Sequence, residues 1–181
     1  MQTDGNMVFS DMQFRDFGAD NCYQIEKSQL YQKSLRSFGF KIVEFIVCYL
    51  PDESDGDKLI FVEAKTSLRS INNEREFNEE IADISQKFTD ALQIMCGIWH
   101  GVRKDKMRLP TNFARFRKNG KNIVFLLVVK NLNAERIPKI EEAISRKLLK
   151  EKRLWGFRIR VYNEEFAIKK NFVLTAEEQA T

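Results

Sequence analysis

The clearest pattern in the chain is a stripe of apolar residues, spaced three and four positions apart, near the middle of the sequence. Polar and charged residues fill most of the positions between them. This spacing brings side chains to one face of an α-helix, so it predicts a long helix with a single buried face. The residues of the stripe are Phe77, Ile81, Ile84, Phe88, Leu92, Met95 and Trp99.

Four shorter segments carry the β-branched and aromatic residues that are typical of strands. Residues 41–50 and 58–66 flank a polar turn rich in Asp, and together they predict a β-hairpin. Residues 122–130 form a continuous apolar run, which predicts a strand buried on both faces. Residues 157–162 alternate apolar with basic side chains, which predicts a strand with one polar face.

Apolar residues at mostly helical intervals predict two further helices, over residues 21–37 and 137–148. Residues 1–20 are expected to be an irregular lead-in with a short strand at 7–9, and residues 175–181 a loose tail. A hairpin followed by strand–helix–strand units indicates an α/β fold in a single domain of 181 residues, with a mixed central sheet and helices on both of its faces.

Composition adds two constraints. Three cysteines without a CxxC pair, and one histidine, exclude a Cys/His zinc site. No secretory signal or membrane-spanning run is found, so we expect a cytoplasmic protein.

The net charge of +4 conceals an asymmetry: residues 1–100 hold 10 Lys/Arg and 17 Asp/Glu, whereas residues 101–181 hold 20 Lys/Arg and 9 Asp/Glu. An acidic half beside a basic half suits a protein that binds cations at one place and a polyanion at another, although an unevenly charged surface has the same signature.

Two carboxylates occur where a strand would normally carry apolar residues. Glu44 lies inside an apolar run, and Glu63 precedes Lys65 by two positions at the end of the next predicted strand, so Glu63 and Lys65 share a face. A symmetric hairpin places Glu44 opposite Glu63, whereas a slip of one residue would turn Glu44 to the other face. Converging carboxylates repel each other unless a cation joins them, and a hard divalent ion such as Mg²⁺, or Mn²⁺ in its place, suits oxygen ligands. The alternative is that Glu63 and Lys65 face solvent near a strand end and that Glu44 pairs with a lysine on an edge strand.

At these positions the chain resembles the PD-(D/E)xK, or restriction-endonuclease-like, nuclease superfamily. The resemblance rests on Glu44 and on the stretch Phe61-Val62-Glu63-Ala64-Lys65-Thr66-Ser67. It implies that Glu44 and Glu63 bind one or two Mg²⁺ ions, that Lys65 assists hydrolysis, and that Glu26 is the additional acid many members carry on the preceding helix. The family usually has Asp at the position of Glu44, and two strands before the E-x-K strand, of which the sequence predicts one.

A basic, partly aromatic stretch follows the long helix. Its cations are expected to bind nucleic-acid phosphates, while Phe113 and Phe116 either stack on bases or pack on the core. Lys87, on the long helix, is a further candidate or simply a solvated border residue, and His100 is expected to be structural or exposed. The candidate nucleic-acid-binding residues are Lys87, Arg103, Lys104, Lys106, Arg108, Arg115, Arg117 and Lys118.

The sequence therefore predicts an Mg²⁺-dependent endonuclease, with DNA favoured over RNA by the resemblance alone. The absence of P-loop, dinucleotide-binding, serine-hydrolase and zincin motifs argues against those chemistries. Two alternatives stay open: a non-catalytic module that retains the fold and binds nucleic acid or protein, and a subunit-interaction domain. A homodimer is compatible with the sequence.

Overall fold

A five-stranded mixed sheet forms the centre of the fold. The computed structural model describes residues 7–49, 57–70, 72–102, 109–119 and 122–179. The strands of these residues are β1 (Met7–Phe9), β2 (Met12–Phe14), β3 (Cys22–Tyr23), β4 (Phe45–Tyr49), β5 (Lys58–Lys65), β6 (Asn122–Val129) and β7 (Arg158–Asn163). Strands β3 to β7 form the central sheet in that order, antiparallel across β3–β4–β5 and parallel across β5–β6–β7, and β1 pairs with β2 in a separate hairpin.

Helices connect the parallel strands and follow the last of them. They are α1 (Glu74–Trp99), α2 (Thr111–Asn119), α3 (Ile137–Lys147), α4 (Leu149–Trp155), α5 (Glu164–Lys169) and α6 (Ala176–Gln179). The helix predicted from the apolar stripe and the α/β class with a mixed sheet are confirmed. No helix in the described part of the chain is both long and apolar enough to cross a membrane.

Both faces of the sheet are covered. On one face, α1 and α3 pack over an aromatic cluster in which the Phe88 ring stacks on Phe125 at 4.7 Å between centroids. Phe61 and Phe157 contact the same Phe125 ring at 5.4 and 4.1 Å. On the other face, the β1–β2 hairpin and α5 cover a second apolar layer. Strand β6 is buried between the two layers, which explains its continuous apolar sequence.

Residues 21–37 differ most from the prediction. Instead of one amphipathic helix, they contain β3 and a series of short turns: a 3₁₀ turn (Ile25–Lys27), a π turn (Tyr31–Leu35) and a second 3₁₀ turn (Arg36–Phe38). The apolar residues Ile25, Leu30 and Leu35 are five positions apart, which exceeds the 3.6-residue repeat of an α-helix, so a regular helix could not bury all three. The prediction of a continuous helix is therefore wrong.

Strand β7 forms one edge of the central sheet. The backbone N–H of Val161, in the middle of this strand, donates to Oε1 of Glu141 on α3 at 2.9 Å.

An ion pair joins the two ends of the described chain. Arg15, which follows β2, forms an ion pair of 3.0 Å with Glu178, so the last described helix, α6, is bonded to the segment after β2.

Candidate functional site

The β4–β5 hairpin brings Glu44 and Glu63 to the same place. Phe45 pairs with Val62 as the first pair of β4 with β5, and the N–H of Glu44, one residue before β4, donates to the Val62 carbonyl at 3.0 Å, so Glu44 lies beside the end of β5 that carries Glu63. Ile46 and Phe61, which lie two positions along from them, belong to the core beneath the helices. Glu63 lies on that helix-covered face, where Lys87 of α1 bonds to it, and the charge of Glu44 acts on both Glu63 and Lys87. The predicted hairpin register is confirmed for the pairs from Phe45–Val62 to Tyr49–Lys58, and Glu44 lies one residue before β4.

Glu63 is the most deeply buried charged residue of this region. Its side chain is 0% exposed, Oε1 accepts a 2.6 Å hydrogen bond from Lys87 Nζ, and Oε2 is buried without a hydrogen-bond partner. Burial raises the pKa of Glu63 from 4.5 to about 7, against the opposing effect of the Lys87 ammonium. An ionised carboxylate with an unsatisfied oxygen is costly to bury, so this oxygen is a free acceptor for a cation or a polar ligand.

Glu44 is half-buried and shares the same electrostatic environment. Burial raises its pKa, the nearby Glu26 carboxylate raises it further, and Lys87 and Lys65 act in the opposite direction. Glu26 is exposed on the first 3₁₀ turn, and its carbonyl accepts from Gln32 Nε2 at 2.7 Å. The fold therefore brings Glu44 within electrostatic reach of two other sequence-predicted acids, Glu63 in the interior and Glu26 on the solvent side.

Lys65 and Lys87 supply the positive charge of the site. Lys65 is the half-buried last residue of β5, where its carbonyl accepts from the Lys130 N–H at 2.9 Å, and its charge acts on both Glu44 and Glu63. Burial lowers the pKa of Lys87, but the adjacent Glu63 carboxylate outweighs burial and the pKa is raised. Lys87 thus stays protonated and lies against the buried carboxylate, rather than on a solvated helix border.

The sequence reasoning missed a polar line on α1 beside the two carboxylates. Asp90, 6% exposed, accepts hydrogen bonds from the Lys41 N–H at 3.0 Å and from Gln86 Nε2 at 2.6 Å. Asp83 forms an ion pair with the Lys41 ammonium. Together these bonds join α1 to the segment that leads into Glu44. The spacing of Asp83, Lys87 and Asp90, four and then three positions, places them on one helix face and is the signal that could have revealed the line.

The predicted nucleic-acid-binding residues are only partly described. Arg103, Lys104, Lys106 and Arg108 lie outside the described residues. Arg115, Arg117 and Lys118 belong to α2, whose phenylalanines Phe113 and Phe116 are buried in the core. Of the two roles considered for these phenylalanines, packing is therefore the one observed. His100 is exposed at the C-terminal cap of α1.

No family model, curated protein or solved structure matches this chain. Assignment of chemistry therefore depends on the site itself. The donors at the end of β5 are carboxylate oxygens, which suit Mg²⁺ or Mn²⁺. The described residues contain no group of three or more Asp, Glu, His or Cys side chains close enough to enclose a metal. Mg²⁺ often takes only one or two carboxylates together with waters and substrate phosphate, so Glu44 and the free Oε2 of Glu63 fit this ion.

Proposed function

We propose that this protein is a metal-dependent endonuclease of restriction-endonuclease-like fold, which hydrolyses phosphodiester bonds in nucleic acid, with DNA as the favoured substrate. The observation that carries the proposal is the approach of Glu44 to Glu63 at the carboxyl end of β5, two residues before Lys65, with one oxygen of Glu63 buried and unsatisfied. Glu63 and Lys65 lie at the carboxyl end of β5, which is the end of the strands where open α/β sheets usually bind ligands.

The topology supports the same family. Strands β3 and β4 pair antiparallel and both precede the E-x-K strand β5, which matches the two strands that the family usually has there. The strand that carries Glu63 then leads through α1 into the parallel strand β6. The only departure within the motif is Glu44 in place of Asp, one methylene longer.

In the proposed mechanism, Glu44 and Glu63 hold the divalent ion. When bound, such an ion stabilises charge on a phosphoryl oxygen and lowers the pKa of water. The Lys65 ammonium, whose charge acts on both carboxylates, orients the attacking water or stabilises charge on the phosphate. Glu26 is exposed near Glu44, so its carboxylate accepts a hydrogen bond from solvent entering the site.

Charge distribution supports a polyanionic substrate. Residues 101–181 carry 20 Lys/Arg and 9 Asp/Glu, and the exposed Arg158 and Arg160 of β7 belong to this excess. Neutralisation of phosphates by such cations gives binding that weakens steeply as salt rises. The preference for DNA over RNA, and the roles of the basic residues between 103 and 118, follow from the family resemblance and the sequence.

A cleavage assay on plasmid and single-stranded DNA tests the proposal. We expect nicking with Mg²⁺ or Mn²⁺, none with EDTA, and a loss of about 100-fold or more in Lys65→Ala, because loss of one charge-stabilising donor typically has this effect. Lys33→Ala, at an exposed lysine of the turn Tyr31–Leu35 in the acidic half of the chain, is the matched control and should cleave normally. Equal cleavage by Lys65→Ala and the native chain would refute the assignment.

One observation favours a second candidate, a non-catalytic nucleic-acid-binding module. The Lys87 ammonium already neutralises Glu63 within the fold, so the carboxylate could serve a structural role. This alternative predicts salt-sensitive DNA binding that neither EDTA nor Glu63→Gln changes, and no cleavage with any divalent ion.

A further inference from the structure

The Lys87 ammonium is hydrogen-bonded to Glu63, the more buried of the two central carboxylates. Lys87 Nζ lies 2.6 Å from Glu63 Oε1, and its charge also acts on Glu44 and on Asp83. Only 22% of the Lys87 side chain is exposed, against 0% for Glu63, so this ion pair is shielded from bulk water. A shielded, hydrogen-bonded pair is held more firmly than a surface pair.

The Lys87 ammonium does not fully satisfy this pair of acids. Oε2 of Glu63 remains buried without a hydrogen-bond partner, although the charges of both Lys87 and Lys65 act on this carboxylate. A divalent cation would compensate both carboxylates, but it would also repel Lys87 if the ammonium stayed at Glu63. Lys87 has another acid within electrostatic reach, because Asp83 lies one helical turn before it on α1.

We propose that Lys87 is a built-in competitor for the metal: its ammonium holds Glu63 until a divalent cation binds, and it then turns away toward Asp83 and the substrate phosphate. This inference rests on the proposed function, since it concerns the same carboxylates. The released ammonium becomes available to a phosphate oxygen, so metal and phosphodiester bind cooperatively, each favouring the conformation that suits the other. The free protein accordingly binds metal weakly.

Calorimetric titration of the full chain with Mg²⁺, and separately with Ca²⁺, tests the competition without any measurement of catalysis. The titration is made at about pH 9, above the Glu63 pKa of about 7, so that protons compete little with the metal for this carboxylate. Lys87→Met should bind about 10- to 100-fold more tightly than the native chain, the range that corresponds to displacing a hydrogen bond to a charged group. Adding a short phosphodiester, such as a dinucleotide, should tighten metal binding to the native chain but not to Lys87→Met.

Two control variants isolate the competing charge. Lys87→Arg keeps a cation next to Glu63 and should bind metal as weakly as the native chain. Arg75→Met removes an exposed cation of α1 that is paired with Glu79 rather than with Glu63 or Asp83, and it should change the affinity little. If Lys87→Met does not fold, as judged by circular dichroism, Lys87→Gln replaces it, because the amide keeps a neutral donor toward Glu63.

The outcomes separate this inference from the proposed function. Metal binding of equal strength in the native chain and in the neutral Lys87 variants would overturn the competition and leave the nuclease proposal standing. Absence of metal binding from the native chain and from every Lys87 variant would overturn both. Tighter binding in Lys87→Met and Lys87→Gln alone, abolished by adding Glu63→Gln, is the expected result.

Discussion

Replacement of Glu63 by Gln should stabilise the metal-free protein at neutral and alkaline pH. The glutamine amide keeps nearly the same shape, and its oxygen can still accept from Lys87 Nζ. It removes the ionised carboxylate from a site in which the side chain is fully buried and one oxygen is unsatisfied. The gain comes from not having to bury that charge.

The size of the effect follows from the pKa of Glu63. The folded protein raises this pKa from 4.5 to about 7, so between these pH values the folded state binds the proton and the unfolded state does not. The stability supplied by the protonated acid is therefore present below about pH 4.5 and is lost as the pH rises through 7. At 1.36 kcal/mol per pKa unit, ionisation of Glu63 lowers the free energy of unfolding by about 3 kcal/mol. For a domain of this size, this corresponds to about 6–12 °C in Tm.

Urea unfolding in EDTA, at several pH values from 4.5 to 8, tests the prediction by measuring the free energy of unfolding of both proteins. The free energy of unfolding of Glu63→Gln should equal that of the native chain at the acid end and exceed it by about 3 kcal/mol at pH 8. Other titrating groups are common to both proteins, so only the difference between the two curves is used. A variant that is less stable than the native chain at pH 8 would show that the Glu63–Lys87 ion pair is a net stabilising interaction and would refute the reasoning.

Two further predictions concern the surroundings of the site. Asp90→Ala leaves the Lys41 N–H without its acceptor and should lower the free energy of unfolding by about 1–3 kcal/mol in urea titrations, whereas Asp90→Asn, which keeps an acceptor, should lose less. Phe125→Ala removes the ring shared by Phe61, Phe88 and Phe157 and should lower the free energy of unfolding by about 3–5 kcal/mol by the same measurement. Phe38→Ala, at a residue 78% exposed, should change it by less than about 0.5 kcal/mol, and a loss comparable to that of Phe125→Ala would contradict this account of the core.

Much of the sheet could be predicted from the sequence because its signals are local. The continuous apolar run of β6, the alternation of β7 and the polar turn between β4 and β5 each determine a strand without reference to the rest of the chain. The hairpin register, and with it the approach of Glu44 to Glu63, also follows from a turn of known length. These are short-range relations, in which pattern and geometry agree.

The rest of the site depends on contacts that no local pattern specifies. Lys87 is 24 residues from Glu63, and Asp90 is 49 residues from Lys41, so each pairing becomes visible only when α1 packs on the sheet. The turns between Ile25 and Phe38 also depend on distant contacts. Ile25 and Leu35 are both buried in the core, and their burial outweighs a helical pattern that was already irregular. The same applies to β3, a strand of two residues that is stabilised only by pairing with β4.

The bond between Glu141 and the Val161 N–H has a consequence for how copies of this protein meet. An edge strand offers free backbone donors to any extended segment of another chain, and this is the usual starting point of aggregation and of strand exchange. At β7 a side chain from α3 takes one of these donors, in the middle of the strand. A second copy could continue the sheet there only by displacing a carboxylate, so any homodimer is better served by another surface.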